Sequence, residues 1–176
     1  MRFKALALSL VCLSSAAFAA ETPVGKHQIL NGMEIGAVYL QPVTMDMTGM
    51  MLDAAKSDIH LEADIHAVKG NPNGFSEGDW IPYLMIDYVL EKVGGKKQTG
   101  HMMPMVASDG PHYGDNVKLQ GPGKYKLTLN IQPQSYNTGA MFGRHIDKET
   151  GVGPWFKPFE LHYEFAFAGI GKKGGY

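Results

Sequence analysis

The chain has 176 residues, 16 basic and 17 acidic, and a single cysteine, Cys12, close to its N-terminus. A near-neutral charge with no basic patch argues against nucleic-acid binding, and a lone cysteine in that position excludes disulfides and thiolate chemistry. Eleven methionines and seven histidines remain as the soft and borderline metal ligands of a chain without thiols.

Arg2 and Lys4 precede an apolar run over residues 5–13, and Ala17-Phe18-Ala19 follows it. That order predicts a secretory signal peptide over residues 1–19, cleaved after Ala19, and hence an exported, periplasmic protein. The run is too short for a membrane span, which needs roughly 20 residues. Cys12 follows Val11, where a lipoprotein signal would place a small residue, so lipid anchoring is disfavoured. Residues 20–176 are expected to form one domain, with a formal charge of about −3 once Arg2 and Lys4 are removed.

A strand is predicted over residues 33–40, closed by Gln41-Pro42. Four methionines then fall within seven residues, Met45, Met47, Met50 and Met51, with no helical apolar period, which predicts a loop or irregular edge. Over residues 58–67 alternation is strict. Ile59, Leu61, Ala63, Ile65 and Ala67 share one face; Asp58, His60, Glu62, Asp64 and His66 share the other. After a turn at Asn71-Pro72-Asn73-Gly74, a long strand is expected over residues 80–93, interrupted by Pro82 and reversed at Gly94-Gly95. Residues 101–114 read as a strand passing into a loop. Residues 124–132 and 159–168 form alternating strands, 139–147 is irregular, and the glycine-rich tail from Gly169 is loose. Short strands separated by turn signals predict an all-β, immunoglobulin-like antiparallel β-sandwich.

The polar face of residues 58–67 carries five potential ligands, with alternate residues about 6.5–7 Å apart. Such a face is equally what a solvated strand presents. Met105 and His112 in one loop-like segment and His145 in another favour ligation, because thioether, imidazole and carboxylate together suit copper better than zinc. Met105 taken alone would more often be a core filler. His27, His101 and His162 belong to no spaced ligand set. Neither a nucleophile elbow nor a phosphate-cradling loop is present, so no enzymatic activity is expected.

The stretch His60-Leu61-Glu62-Ala63-Asp64-Ile65-His66-Ala67, the segment from Met105 to His112 and its continuation Tyr113-Gly114-Asp115-Asn116, and Gly143-Arg144-His145 resemble the bacterial periplasmic iron-transport proteins (Tp34-like) that work beside Ftr-type iron permeases. The resemblance covers nearly the whole exported chain, with separated motifs in order. It implies a homodimer with a copper site near the dimer interface. His60 and Glu62 match the strand motif, Met105 and His112 the methionine and first loop histidine, and His145 the later histidine. Asp64 and His66 are implied as outer-sphere groups or part of an iron site. The implied function is to bind copper and ferrous iron and to serve an inner-membrane Ftr-type permease. The alternatives are a periplasmic copper chaperone or buffer that passes Cu(I) along Met45, Met47, Met50 and Met51, and a structural sandwich without metal.

Overall fold

The structure, a computed structural model, describes residues 21–169; the expected leader over residues 1–19 and the tail from residue 170 lie outside it. Nine strands form, β1 (Thr22–Pro23), β2 (Gln28–Leu30), β3 (Met33–Leu40), β4 (Ile59–Ala67), β5 (Met85–Lys92), β6 (Lys97–Ala107), β7 (Gly110–Val117), β8 (Gly123–Gln132) and β9 (Phe159–Phe167), with two short 3-10 turns at Ala54–Lys56 and Gln134–Tyr136. All ladders are antiparallel, in the order β1-β3-β4-β7-β6-β5-β8-β9, with β2 also on β3.

One strand makes this path a sandwich. The first half of β6, Lys97 to Met102, pairs with β5, and its second half, Met103 to Ala107, pairs with β7. It crosses from one layer to the other, so β3, β4 and β7 face β5, β8 and β9. Aromatic contacts join the layers: the Tyr39 ring lies 5.5 Å from Phe165 and 6.1 Å from Phe167, and Tyr163 Oη donates to the Ile35 carbonyl at 3.3 Å. This is the immunoglobulin-like β-sandwich expected from the alternation. Between the layers lie the apolar faces of β4 (Ile59, Leu61, Ala63, Ile65, Ala67), β8 (Tyr125, Leu127, Leu129, Ile131) and β9 (Leu161, Tyr163, Phe165, Phe167), all buried. Each of the larger of these side chains contributes about 1.5–3 kcal/mol by leaving water.

The hairpin joining β2 to β3 turns on Asn31 (φ 53°) and Gly32 (φ 76°). Positive φ at both central residues is the geometry that Asn-Gly supplies most readily.

Two expectations need correction. The strand expected over residues 80–93 starts only at Met85; Trp80 makes a lone bridge to His66, Pro82 has no N–H to donate, and Tyr83 takes φ 61°. Residues 81–84 instead cross between layers, held by Tyr113 Oη, which donates to the Ile81 carbonyl and accepts from the Leu84 N–H. The second correction concerns residues 101–114, which do not pass into a loop. They form the β6–β7 hairpin, whose loop is only Ser108-Asp109, and in it Met105 and His112 are direct cross-strand partners.

Candidate metal centre

Three adjacent strands build the site on the outer face of one layer. Alternation on β4 places His60 and Glu62 there; on β7 it places His112, Gly114 and Asn116; on β6 it places Met105. The registers interlock, with Glu62 opposite Gly114, His60 opposite Asn116, and Met105 opposite His112. This face of β4 is not a solvated one in its first half, since His60 is fully buried and Glu62 is 5 % exposed. Asp64 and His66 are half-buried toward its end.

His60, Glu62 and His112 bring their ligating atoms within 4.8 Å of one another. Glu62 Oε1 lies 3.5 Å from His60 Nε2 and 3.3 Å from His112 Nε2, and the two imidazoles meet edge to face with centroids 5.9 Å apart. Gly114, opposite Glu62 in the ladder, lies beneath His60 and Met105. A Cβ there would come 2.5 Å from His60 Nε2 and 3.2 Å from Met105 Sδ. Its φ is ordinary, so glycine is required by space and not by backbone conformation.

Asn116 fixes the histidine. Its Nδ2 donates to the carbonyls of Val43 and Leu52, both at 2.8 Å, which settles the orientation of the amide. Its Oδ1 then accepts from the Val43 N–H at 3.1 Å and from His60 Nδ1 at 3.0 Å. His60 therefore carries its proton on Nδ1, and its Nε2 lies 3.5 Å from Glu62 Oε1. That Nε2 is buried and has no hydrogen-bond partner, a costly arrangement unless something else is bound there.

Burial sets the protonation of the pair. Desolvation lowers the His60 pKa to about 4, against the opposing effect of the Asn116 hydrogen bond. Desolvation, reinforced by Asp64, Glu21 and Asp109, raises Glu62 to about 8. Near neutral pH the pair is thus a neutral imidazole and a protonated carboxyl. A cation would replace the carboxyl proton and offset the repulsion from the surrounding carboxylates. The donor set fits a transition metal: two imidazoles and one carboxylate lie within reach of one another, and the Met105 thioether adjoins His60 Nε2 above Gly114.

Two openings reach this centre. One, a cavity of about 370 Å³, is walled by His60, Glu62, Met105, His112 and the 40–45 segment, including Met45. The other, about 340 Å³, is lined by Glu21, Glu62, Asp64, His66, Asp109 and His112. Glu21, Glu62, Asp109 and His112 belong to both. Glu21 and Asp64, like Glu62, are raised from ordinary carboxylate values, chiefly by burial.

Of the residues singled out from sequence, the fold brings together His60, Glu62, Met105 and His112, with Asp64 and His66 in the acidic opening. His145 is not among them within one chain. It is exposed in the 139–156 segment, with Nδ1 2.7 Å from Thr150 Oγ1. His101 and His162 lie elsewhere, beside Asp87 and Thr128; His27 bonds Glu34 and covers Gly36, the cross-strand partner of Asp64. Sequence reasoning missed Gly114, Asn116, Glu21 and Asp109. The first two alternate with His112 along one strand, a signal hidden by reading that segment as a loop.

The profile of the Fe2+ transport protein family matches residues 18–169. A UPF0423 protein of Brucella abortus is 63 % identical over 167 residues, covering 94 % of this chain and 92 % of its own. The 34 kDa membrane antigen of Treponema pallidum is 38 % identical over 150 residues, covering 82 % and 72 %. Among solved structures, a copper-bound variant of FetP from uropathogenic Escherichia coli strain F11 superposes with a TM-score of 0.82 at 55 % identity, over 86 % of this chain and 99 % of that one. The copper-reconstituted P19 protein from Campylobacter jejuni gives 0.82 at 52 % identity, over 87 % and 99 %.

Proposed function

This chain belongs to the Fe2+ transport protein family, and from that premise we propose that it is an exported, periplasmic protein that holds copper at His60, Glu62, Met105 and His112 and carries ferrous iron for an inner-membrane Ftr-type permease. The observation that carries the copper assignment is the orphaned, fully buried Nε2 of His60, aimed at a carboxyl, a second imidazole and a thioether. The copper-bound states of FetP and P19, at more than half identity, support the same reading.

Bound copper would supply a positive charge, and redox capacity, at the point where three strands converge. The protein's part is to orient the donors. Asn116 sets the His60 tautomer, the β6–β7 register sets Met105 against His112, and Glu62 gives up its proton to receive a cation. Ferrous iron is the cargo, and as a harder ion it suits the acidic opening, where Asp64, Glu21, Asp109 and His66 surround the shared Glu62. A homodimer would let a second copy present its exposed His145 to the centre, and this loop also exposes Met141 and Ile146.

Calorimetric titration of the metal-free protein with copper, and with manganese as a stable stand-in for ferrous iron, tests the reading. Tight copper binding and a weaker manganese event that Glu62→Gln abolishes are expected. Copper binding without any manganese event would leave a copper buffer in place of an iron carrier.

A further inference from the structure

The methionine-rich segment between β3 and β4 is not used by the centre just described. Four thioethers within seven residues are interleaved with Asp46, Thr48 and Gly49, and Met47 and Met50 are 56 % and 49 % exposed. Methionines recruited for packing would be buried among other apolar side chains. Here three of them, Met45, Met47 and Met51, line one cavity of about 380 Å³ together with polar groups that include Asp53 and Asn116.

Two features tie this cavity to the buried centre. Met45 stands in the walls of both, facing the methionine cavity on one side and the space shared with His60, Glu62, Met105 and His112 on the other. Asn116 closes the segment at its two ends by bonding Val43 and Leu52, and the same amide oxygen holds His60 Nδ1. The loop is therefore pinned in place over the histidine instead of projecting freely into solvent.

We infer that Met45, Met47 and Met51 form a second, all-thioether station for a soft monovalent ion, Cu(I), adjoining the buried centre through Met45. The one carboxylate of this lining, Asp53, is paired with Lys56 Nζ at 2.6 Å; thioethers select Cu(I) over harder ions, whereas the buried centre mixes soft and hard donors. The inference adds to the copper reading of the buried centre and stands on different side chains, so the two can fail separately.

Silver(I) is a redox-inert probe for such a site. The protein, labelled with 13C at its methionine methyl groups, is titrated with Ag(I) and followed by NMR, alongside the triple variant Met45→Leu, Met47→Leu, Met51→Leu. The expected result is that the Met45, Met47 and Met51 methyl signals shift saturably and the triple variant binds one fewer equivalent of Ag(I) while keeping the Met105 shift. A shift of Met105 alone, with equal stoichiometry in the variant, overturns the second station and leaves the buried centre. Shifts of the loop methionines without Met105 sustain the station and remove Met105 from the centre. No methyl shift at all overturns both.

Discussion

Replacing Gly114 by alanine would put a methyl carbon 2.5 Å from His60 Nε2 and 3.2 Å from Met105 Sδ. The first is far inside contact distance and the second is tight by a few tenths of an ångström, and the His60 ring has little room to retreat because Asn116 holds its other nitrogen. The backbone at 114 suits any residue, so Gly114→Ala is expected to fold, with an unchanged far-ultraviolet circular dichroism spectrum, and to bind copper on the order of 100-fold more weakly in a chelator competition. Unchanged copper affinity would mean that the cradle around Gly114 is not where the ion sits. Asn116→Ala acts from the other side. It frees the His60 tautomer and leaves the Val43 and Leu52 carbonyls unpaired, so a loss of about 1–3 kcal/mol in denaturant unfolding should accompany a 10–100-fold fall in copper affinity. Neither residue has an ionisable or soft side chain, and so both stand inside the quoted motif without being singled out as site residues.

At the scale of the strands, alternation made β4, β8 and β9 readable, because a period of two with one apolar face has a single physical meaning once a core exists. The same rule assigned His60 and Glu62 to one face. It could not decide whether water or protein covered that face, since the covering groups, Met45 and the 40–45 segment, are brought there by tertiary contacts. The β6–β7 hairpin was illegible for a different reason. Pro104, Gly110, Pro111 and Gly114 are punctuation in a sequence, yet β6 tolerates Pro104 in its ladder with Tyr113, and the two-residue loop needs only Gly110 at φ 139°. The crossover from β4 to β5 went unseen because its anchor is a distant side chain, Tyr113. Tyr113→Phe strips the Leu84 N–H and the Ile81 carbonyl of their partner inside the core. It should lower unfolding free energy by about 1–3 kcal/mol, with copper affinity nearly unchanged because the ring points away from the metal face. A variant as stable as the wild type would show that water replaces the hydroxyl.

For the molecule as a whole, the metal-free centre imprints itself on stability against pH. Glu62 is raised from 4.5 to about 8, so its contribution to folding is complete at low pH and is lost as pH climbs toward 8. His60 is lowered from 6.5 to about 4, so its contribution is complete above 6.5 and is lost only on acidification. Between pH 6.5 and 8 the Glu62 effect is therefore unopposed by His60, and unfolding free energy should fall by ~2 kcal/mol across that interval. Denaturant midpoints measured in chelator should show the decline in the wild type and a flatter profile in Glu62→Gln. Saturating copper should also remove the decline, because a carboxylate bound to a cation has already lost its proton. The last donor raises the question of assembly. His145 is on the surface of one copy; if a second copy supplies it, an isologous dimer would give each centre four donors from one subunit and His145 from the other. Homodimers of His112→Ala and of His145→Ala should each lack a complete centre. When the two are unfolded together and refolded, half the dimers are hybrids, and each hybrid has one complete centre and one that is doubly broken, so roughly a quarter of all centres should regain wild-type copper affinity. If His145 instead served its own chain after a loop movement, mixing would restore nothing, because no subunit in the mixture would carry both histidines.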